Sequence, residues 1–283
     1  MHTDSSALVL LRGGGDLATG VALRLHCAGI KVVITELAQP LAVRRTVSFA
    51  EAVYEGQHTV EGVTGRLVNP EQLSARLKAG EIPVLIDPNA DILLSSLREP
   101  QGAAFFFLTV IDGRLMKQAP TPLPTRVPLH IGLGPGFNAG INCDAVIETR
   151  RSHTLGRVYW NGITQPDSGQ PEGDRRRVLR APIDGRLLAH KKIATHCEEG
   201  ELIAEIQSSS DNQRAQIITP LTGVLRGLIR DGIRVTKGLK IGDIDPRDDP
   251  SACFLVSDKA LSIGGAVLEA ILTREEIRER LWR

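Results

Sequence analysis

Aromatic residues are scarce in this 283-residue chain: six Phe, two Trp and two Tyr make up 4% of it. Proteins that hold single-stranded nucleic acid stack the bases on aromatic side chains, and so small a supply argues against such a platform. Net charge is nearly absent too. The 34 Lys and Arg against 33 Asp and Glu leave +1, without the basic excess of a nucleic-acid binder. No apolar run approaches the roughly 18 residues of a membrane span. The N-terminus shows no basic stretch followed by an apolar one and a small-residue cleavage site. The four cysteines, Cys27, Cys143, Cys197 and Cys253, lie far apart and form no CxxC pair, which argues against a zinc site, and no metal is expected. Scattered thiols without a leader point to a reduced, cytoplasmic protein. GxSxG, HExxH and Walker A motifs are also missing, so no catalytic residue is assigned.

What remains is an ordinary globular composition, 42% hydrophobic and 24% charged. The length suits about two domains. An apolar strand over 7–11 runs into Arg12-Gly13-Gly14-Gly15-Asp16-Leu17-Ala18-Thr19-Gly20. A helix over 17–28 follows, with Gly29 just past its end, and then a strand over 31–35 that ends at Glu36. This is a βαβ unit, and Gly13-x-Gly15-x-x-Ala18 fits the GxGxxA form of the dinucleotide fingerprint. Gly13 permits the tight turn. Gly15 lets the backbone approach a pyrophosphate. Ala18 and Gly20 let the helix pack close to the strand. The helix start presents free N–H groups and a partial positive charge. Glu36 stands where a carboxylate takes a ribose 2′-hydroxyl, which favours NAD over NADP. Gly14 loosens the loop, and Asp16 places a negative charge inside it. A turn kept for helix packing alone is the other reading.

Further along, 41–54 has a helical pattern and 59–68 holds a strand pair. Asn69-Pro70-Glu71-Gln72 is a helix start with Gln72 completing a capping box. Strands follow over 83–87 and 105–111. After four prolines at 120, 122, 124 and 128 comes a second glycine loop, Gly132-Leu133-Gly134-Pro135-Gly136-Phe137-Asn138-Ala139-Gly140. In a doubly wound sheet such loops lie at the carboxyl edge, where ligands bind. Gly13, Gly14, Gly15, Asp16, Ala18, Glu36, Asp87, Gly132, Gly134, Gly136 and Asn138 are therefore the candidate cofactor-binding residues. His130 and Cys143 stand nearby, each readable as a core residue or as a functional one.

Residues 161–177 read as a polar linker ending in Arg175-Arg176-Arg177. Beyond them lies an internal repeat. Ala181-Pro182-Ile183-Asp184-Gly185-Arg186-Leu187 matches Thr219-Pro220-Leu221-Thr222-Gly223-Val224-Leu225 at a spacing of 38 residues, and Gly200/Gly238, Ile203/Ile241 and Ile206/Ile244 keep that register. The pattern resembles the biotinyl/lipoyl barrel-sandwich hybrid. The hairpin between its halves, 207–213, has no lysine to carry a cofactor, so the module is expected to be unmodified. Ser257 or Asp258 caps a helix that Gly264 and Gly265 weaken, and Thr273-Arg274-Glu275-Glu276 reads as a capping box for a last helix. The expected architecture is α/β. A Rossmann-like, mostly parallel sheet domain spans 1–174, a barrel-sandwich hybrid 175–250 and a C-terminal helical segment 251–283.

Several long motifs together carry a family resemblance. They are residues 12–20, Glu36-Leu37-Ala38-Gln39-Pro40-Leu41-Ala42-Val43-Arg44-Arg45, Gly132-Leu133-Gly134-Pro135-Gly136-Phe137, Leu179-Arg180-Ala181-Pro182, Gly238-Leu239-Lys240-Ile241-Gly242-Asp243 and Ser257-Asp258-Lys259-Ala260-Leu261. Over nearly its whole length the chain resembles the selenium-dependent molybdenum hydroxylase system protein family (YqeB-like), related in role to xanthine dehydrogenase accessory factors (XdhC-like). The resemblance implies an accessory protein for molybdenum hydroxylase maturation. It would bind a molybdenum cofactor, itself a pterin dinucleotide, for modification or delivery. Its partners would be the apo-enzyme or other maturation factors, with no nucleic acid and no membrane, and with a homo-oligomer left open. Two rivals stay open beside it, an NAD-dependent oxidoreductase and a non-catalytic scaffold. The cofactor, molybdenum pterin or NAD, is unresolved at this point.

Overall fold

The computed structural model describes residues 6–98, 105–169, 174–208 and 213–281. Residues 209–212 of the lysine-free hairpin fall outside them. The chain divides into two compact units that are not contiguous in sequence. One comprises Met1–Pro40, Phe49–Asp167 and Val256–Arg283; the other comprises Leu41–Ser48 and Ser168–Leu255.

The first unit is built on nine strands. They are β1 (Ser6–Arg12), β2 (Val32–Glu36), β3 (Gln57–Val60), β4 (Val63–Leu67), β5 (Ile82–Ile86), β6 (Phe105–Asp112), β7 (Leu129–Leu133), β9 (Ala145–Ile147) and β10 (Val158–Tyr159), and their order is β10-β9-β7-β6-β1-β2-β5-β4-β3. β3 and β10 run antiparallel to their neighbours at the two edges, and every other pairing is parallel. The central strands are apolar on both faces because both faces are covered. Leu8, Leu10, Val33, Leu85 and Val110 enter one core with Leu73 and Leu93. The strand order reverses between β1 and β6, which opens a crevice at their carboxyl ends.

Helices α1 (Asp16–Cys27), α2 (Ala52–Glu55), α3 (Leu73–Lys78) and α4 (Ile92–Arg98) fall in the connections on the β1–β2–β5 side. No helix joins β6 to β7 or β7 to β9. Instead α5 (Asp258–Thr273) packs along α1 and reaches β9 and β10, and α6 (Glu275–Leu281) touches β1. α5 replaces the missing crossovers through small residues. A Cβ on Gly20 would lie 2.6 Å from Ala260 Cβ, and one on Gly264 would lie 2.7 Å from Gly20 O. The Ser257 hydroxyl caps α5 by accepting from Ala260 N at 3.2 Å. A short ribbon pairs β8 (Asn138–Ala139) with β11 (Gly162–Ile163).

The second unit holds two four-stranded antiparallel sheets. One has the order β12 (Val178–Arg180), β19 (Lys240–Asp245), β17 (Gly223–Leu228), β14 (His196–Cys197). The other has the order β16 (Arg214–Ile218), β15 (Leu202–Gln207), β13 (Gly185–Ala189), β18 (Arg234–Val235). A shift of 38 residues carries Gly185 to Gly223, His196 to Arg234 and Leu202 to Lys240, the first residues of successive strands. The same shift turns one sheet order into the other, so each sheet mixes strands of both repeat copies. Leu187, Ile203, Ile206, Val224, Ile241 and Ile244 are fully buried. One copy alone could not bury that set.

Three expectations are corrected here. The expected fold class, Rossmann-like plus a barrel-sandwich hybrid, gives way to a mixed α/β fold: a large, mostly parallel sheet plus antiparallel sheets. No barrel is closed among the described residues, since the two-residue strands β14 and β18 end their sheets, each pairing with a single neighbour. On the other half of the large sheet, regular βα alternation stops after β6. Residues 41–54 are not one helix. Leu41–Ser48 joins the second unit, and only 3-10 turns and the four residues of α2 are helical. Thr273 does not cap α6: it is the last residue of α5, where its hydroxyl donates to Glu269 O at 2.8 Å, and Arg274 is the residue before α6. The Asn69–Gln72 capping box does form, with Asn69 N donating to Gln72 Oε1 at 3.0 Å. No helix of the described residues is long and apolar enough to cross a membrane.

Candidate functional site

The carboxyl edge of β1, β2 and β6 gathers the polar groups of the first unit. After Arg12 the chain turns at Gly13, whose φ of 90° is a left-handed value that L side chains rarely adopt. Gly13 N donates to Thr35 O at 2.7 Å, tying the turn to β2. Gly14 is closed in, since a Cβ there would lie 2.8 Å from Ala50 N. Gly14 O accepts from Ala50 N at 2.9 Å and from the Thr19 hydroxyl at 3.1 Å, and that hydroxyl accepts from Phe49 N at 2.9 Å. Gly15 is different. Among the described residues, apart from its two chain neighbours, no atom lies within 4 Å of the space where its Cβ would stand. It is the residue before α1, with an extended backbone, so the helix start opens onto that space. Asp16 lies in the first helical turn, half-buried. Ala18 packs against Gly113, where a Cβ would lie 3.1 Å from its own. Gly20 faces α5 rather than the strand.

Glu36 is bound into the turn. Its Oε2 accepts from Gly14 N and its Oε1 from Leu37 N, both at 2.7 Å. Burial raises its pKa above the usual carboxylate value, and the two backbone bonds pull the other way. Each oxygen keeps a lone pair for a further donor.

Two guanidinium groups flank the crevice. Asp112, at the end of β6, is 1% exposed and accepts from Arg12 Nη1 at 3.3 Å and from Arg114 Nε at 2.9 Å and Nη2 at 2.6 Å. Arg12 also donates to Pro88 O at 3.0 Å. Its buried Nε finds no partner among the described residues. Arg114 Cα would lie 3.5 Å from a Cβ on Gly13, so the Arg114 backbone runs beside the turn while its half-buried guanidinium is held on Asp112. The sequence reading missed Arg12, Asp112 and Arg114 as a set. The available signal was a charged residue closing each of two apolar strands next to glycine, Arg12-Gly13 and Asp112-Gly113.

The second glycine loop does not join this site as a cradle. A Cβ on Gly132 would run into the Phe137 ring, one on Gly136 into Gln118 O, and one on Gly134 would lie 2.5 Å from Thr149 Oγ1. These glycines make room for the protein's own atoms. Asn138 N donates to Asn142 Oδ1 at 2.8 Å within a turn. His130 stacks edge-on against Phe137, and its Nε2 is buried without a partner among the described residues. Burial, the largest influence, lowers its pKa and favours the neutral ring. Burial pushes the Cys143 thiol up to about 11, which leaves it without thiolate character at neutral pH. Asp87 caps α4, accepting from Asp91 N and Ile92 N at 2.9 Å each, and its own N donates to Glu36 O at 3.0 Å.

Comparison with known proteins adds a relative and corrects one expectation. The chain is 44% identical over 276 residues to an Escherichia coli K12 protein described as "Uncharacterized protein YqeB", a match covering 96% of this chain and 48% of that protein. The chain thus spans about half the length of the relative it matches. No family model matches. Among solved structures, an aspartoacylase family protein from Mesorhizobium loti aligns at 10% identity over 85% of each chain with a TM-score of 0.27. A succinylglutamate desuccinylase from Silicibacter sp. TM1040 aligns at 14% over 85% of each chain with a TM-score of 0.25. Overlaps of that size give this chain neither a fold nor an activity. The expected membership of the selenium-dependent molybdenum hydroxylase system, with its role in hydroxylase maturation, is nevertheless corrected. The relative is described without a function, so the match assigns no part in hydroxylase maturation to this chain.

Proposed function

We propose that the first unit binds an NAD-type dinucleotide across the carboxyl edge of its large sheet. The observation that carries this reading is the open space at Gly15. It lies at the head of a 12-residue helix, where the strand order reverses. A diphosphate at that point would meet backbone N–H groups and the positive end of the helix dipole. Arg114, whose backbone runs beside the turn, adds a cation that Asp112 holds in place. Asp16 opposes an anion, so the balance rests on the helix start and the guanidinium.

Glu36 supports the choice of ligand. Its remaining lone pairs suit the two hydroxyls of a ribose, and its charge disfavours a 2′-phosphate. The bond from Gly14 couples the ribose-side carboxylate to the diphosphate-side turn, so both would be ordered before a ligand arrives.

Calorimetric titration with NAD, NADP and inorganic pyrophosphate tests the reading, comparing the wild-type chain with Gly15→Leu. NAD should bind at micromolar concentrations, NADP more weakly, and Gly15→Leu should lose both. Absence of binding by NAD and pyrophosphate alike removes the proposal.

A further inference from the structure

The sheet β16-β15-β13-β18 carries a row of four residues across one face. Arg214 stands opposite Gln207, Gln207 opposite Arg186, and Arg186 opposite Arg234. Their chain neighbours Ile206, Leu187 and Val235 are buried, so the row points the other way, to solvent. We propose that this outer face docks an acidic segment of a partner protein, with a carboxylate of the partner bridging Arg186 and Arg234. The proposal concerns the second unit alone and does not depend on the nucleotide reading.

The two arginines are the first argument. Like charges directly opposite each other on neighbouring strands destabilise a sheet. Both side chains are exposed, and neither guanidinium has a hydrogen bond or an ion pair among the described residues. The third arginine of the row differs. Arg214 Nη1 lies 3.3 Å from Glu205 Oε2, and the same oxygen lies 3.0 Å from His190 Nε2. The conspicuous basic run of the sequence is engaged as well, since Arg176 pairs with Asp174 at 2.7 Å and Arg177 with Asp243 at 3.1 Å. Arg186 and Arg234 are left as two uncompensated cations whose backbones stand about 5 Å apart. A carboxylate between them would remove the repulsion, and each guanidinium offers it a planar fork of donors.

The surrounding surface chooses the partner. Ile218 is 52% exposed on the same face, opposite Leu202, and Leu188 is half-buried two residues along from Arg186. The four strands hold three arginines and no lysine. Protein interfaces are enriched in arginine and depleted of lysine. Residues 178–245 contain no Phe, Trp or Tyr. The bases of a single-stranded nucleic acid would therefore find nothing aromatic to stack on, and Glu205 would oppose a run of phosphates. A protein segment with an apolar side chain between its carboxylates meets all of these features.

The test is fluorescence anisotropy on the full chain with three labelled probes: a short peptide of alternating Glu and Val, its counterpart with Gln for Glu, and a thymidine oligonucleotide. The Glu peptide should bind best, and added salt should weaken it. Arg186→Gln and Arg234→Gln should each weaken it about tenfold, the loss of one charge-assisted contact. Thermal unfolding of both variants should stay at or above the wild type, because each substitution relieves a like-charge pair. Arg175→Gln, at an exposed arginine outside the face, should change neither readout. Absence of binding by the Glu peptide, equal binding of the Glu and Gln peptides, or tighter binding of the oligonucleotide overturns the proposal. Lower melting of both variants also overturns it, since the arginines would then serve the fold. So does self-association of the wild type that Arg186→Gln abolishes, which gives the face to a second copy.

Discussion

The Glu36 carboxylate accepts the Gly14 backbone N–H at 2.7 Å, and through that bond the end of β2 holds the turn that follows β1. Gly14 is buried, so this N–H has no water to fall back on. Leaving such a donor unpaired costs about 1–3 kcal/mol. Glu36→Ala should therefore lower stability by about that amount, while Glu36→Gln keeps an oxygen acceptor and should cost less. Urea unfolding of the two variants measures the difference. Equal losses would mean that the bond to Gly14 does not stabilise the turn.

The α1–α5 contact depends on side chains that are not there. Gly264→Ala adds a Cβ only 2.7 Å from Gly20 O, a backbone atom that cannot rotate away. Overpacking of this kind costs about 1–3 kcal/mol. Better helix propensity, worth up to about 1 kcal/mol, offsets only part of it. Gly265→Ala is the control, since nothing lies within 4 Å of its Cβ position. Thermal unfolding should show Gly264→Ala melting below wild type and Gly265→Ala at or above it.

Asp245 sets an acid limit. Hydrogen bonds from Arg247 are the largest influence holding its pKa down, to about 2 against 3.8 for the free side chain, and Arg226 adds its charge. A carboxylate with a depressed folded pKa contributes stability that is complete above its unfolded value. That contribution is lost as pH falls toward the folded one. Between about pH 4 and pH 2 the wild type should lose stability more steeply than Asp245→Asn. Denaturant midpoints at stepped pH check the slope.

Thiol reactivity should separate the cysteines. Cys143 is buried, with its pKa raised to about 11, whereas Cys27 is exposed. Brief alkylation of the native chain at neutral pH should label Cys27 and spare Cys143, Cys197 and Cys253, all three of them buried. Peptide mass spectrometry reads the pattern. Early labelling of Cys143 would show that it is neither as buried nor as weakly acidic as the structure has it.

Local structure was legible in the residues themselves wherever short-range chemistry decides it. The strand–glycine–helix–strand unit over 6–36, the Asn69–Gln72 capping box, the Ser257 cap and the repeat at 38 residues all rest on neighbours within a few positions, or on a period that any alignment of the chain with itself reveals. Where pairing is long-range, the residues left more than one answer. The two repeat copies read as a small sandwich of the barrel-sandwich hybrid type related by a pseudo-twofold, but which strands share a sheet was not readable: each of the two open sheets mixes strands of both copies, because the sheet neighbour of a strand depends on the whole assembly. The second glycine loop looked like a cradle. Only the fold brings Phe137, Thr149 and Gln118 to Gly132, Gly134 and Gly136, and so turns ligand space into packing space. In the same way only the tertiary structure joins Arg12, Asp112 and Arg114, residues up to 102 positions apart, on one buried carboxylate. Backbone conformation is written in local sequence because its energies are local; a site is decided by which distant side chains the sheet order carries to the same edge.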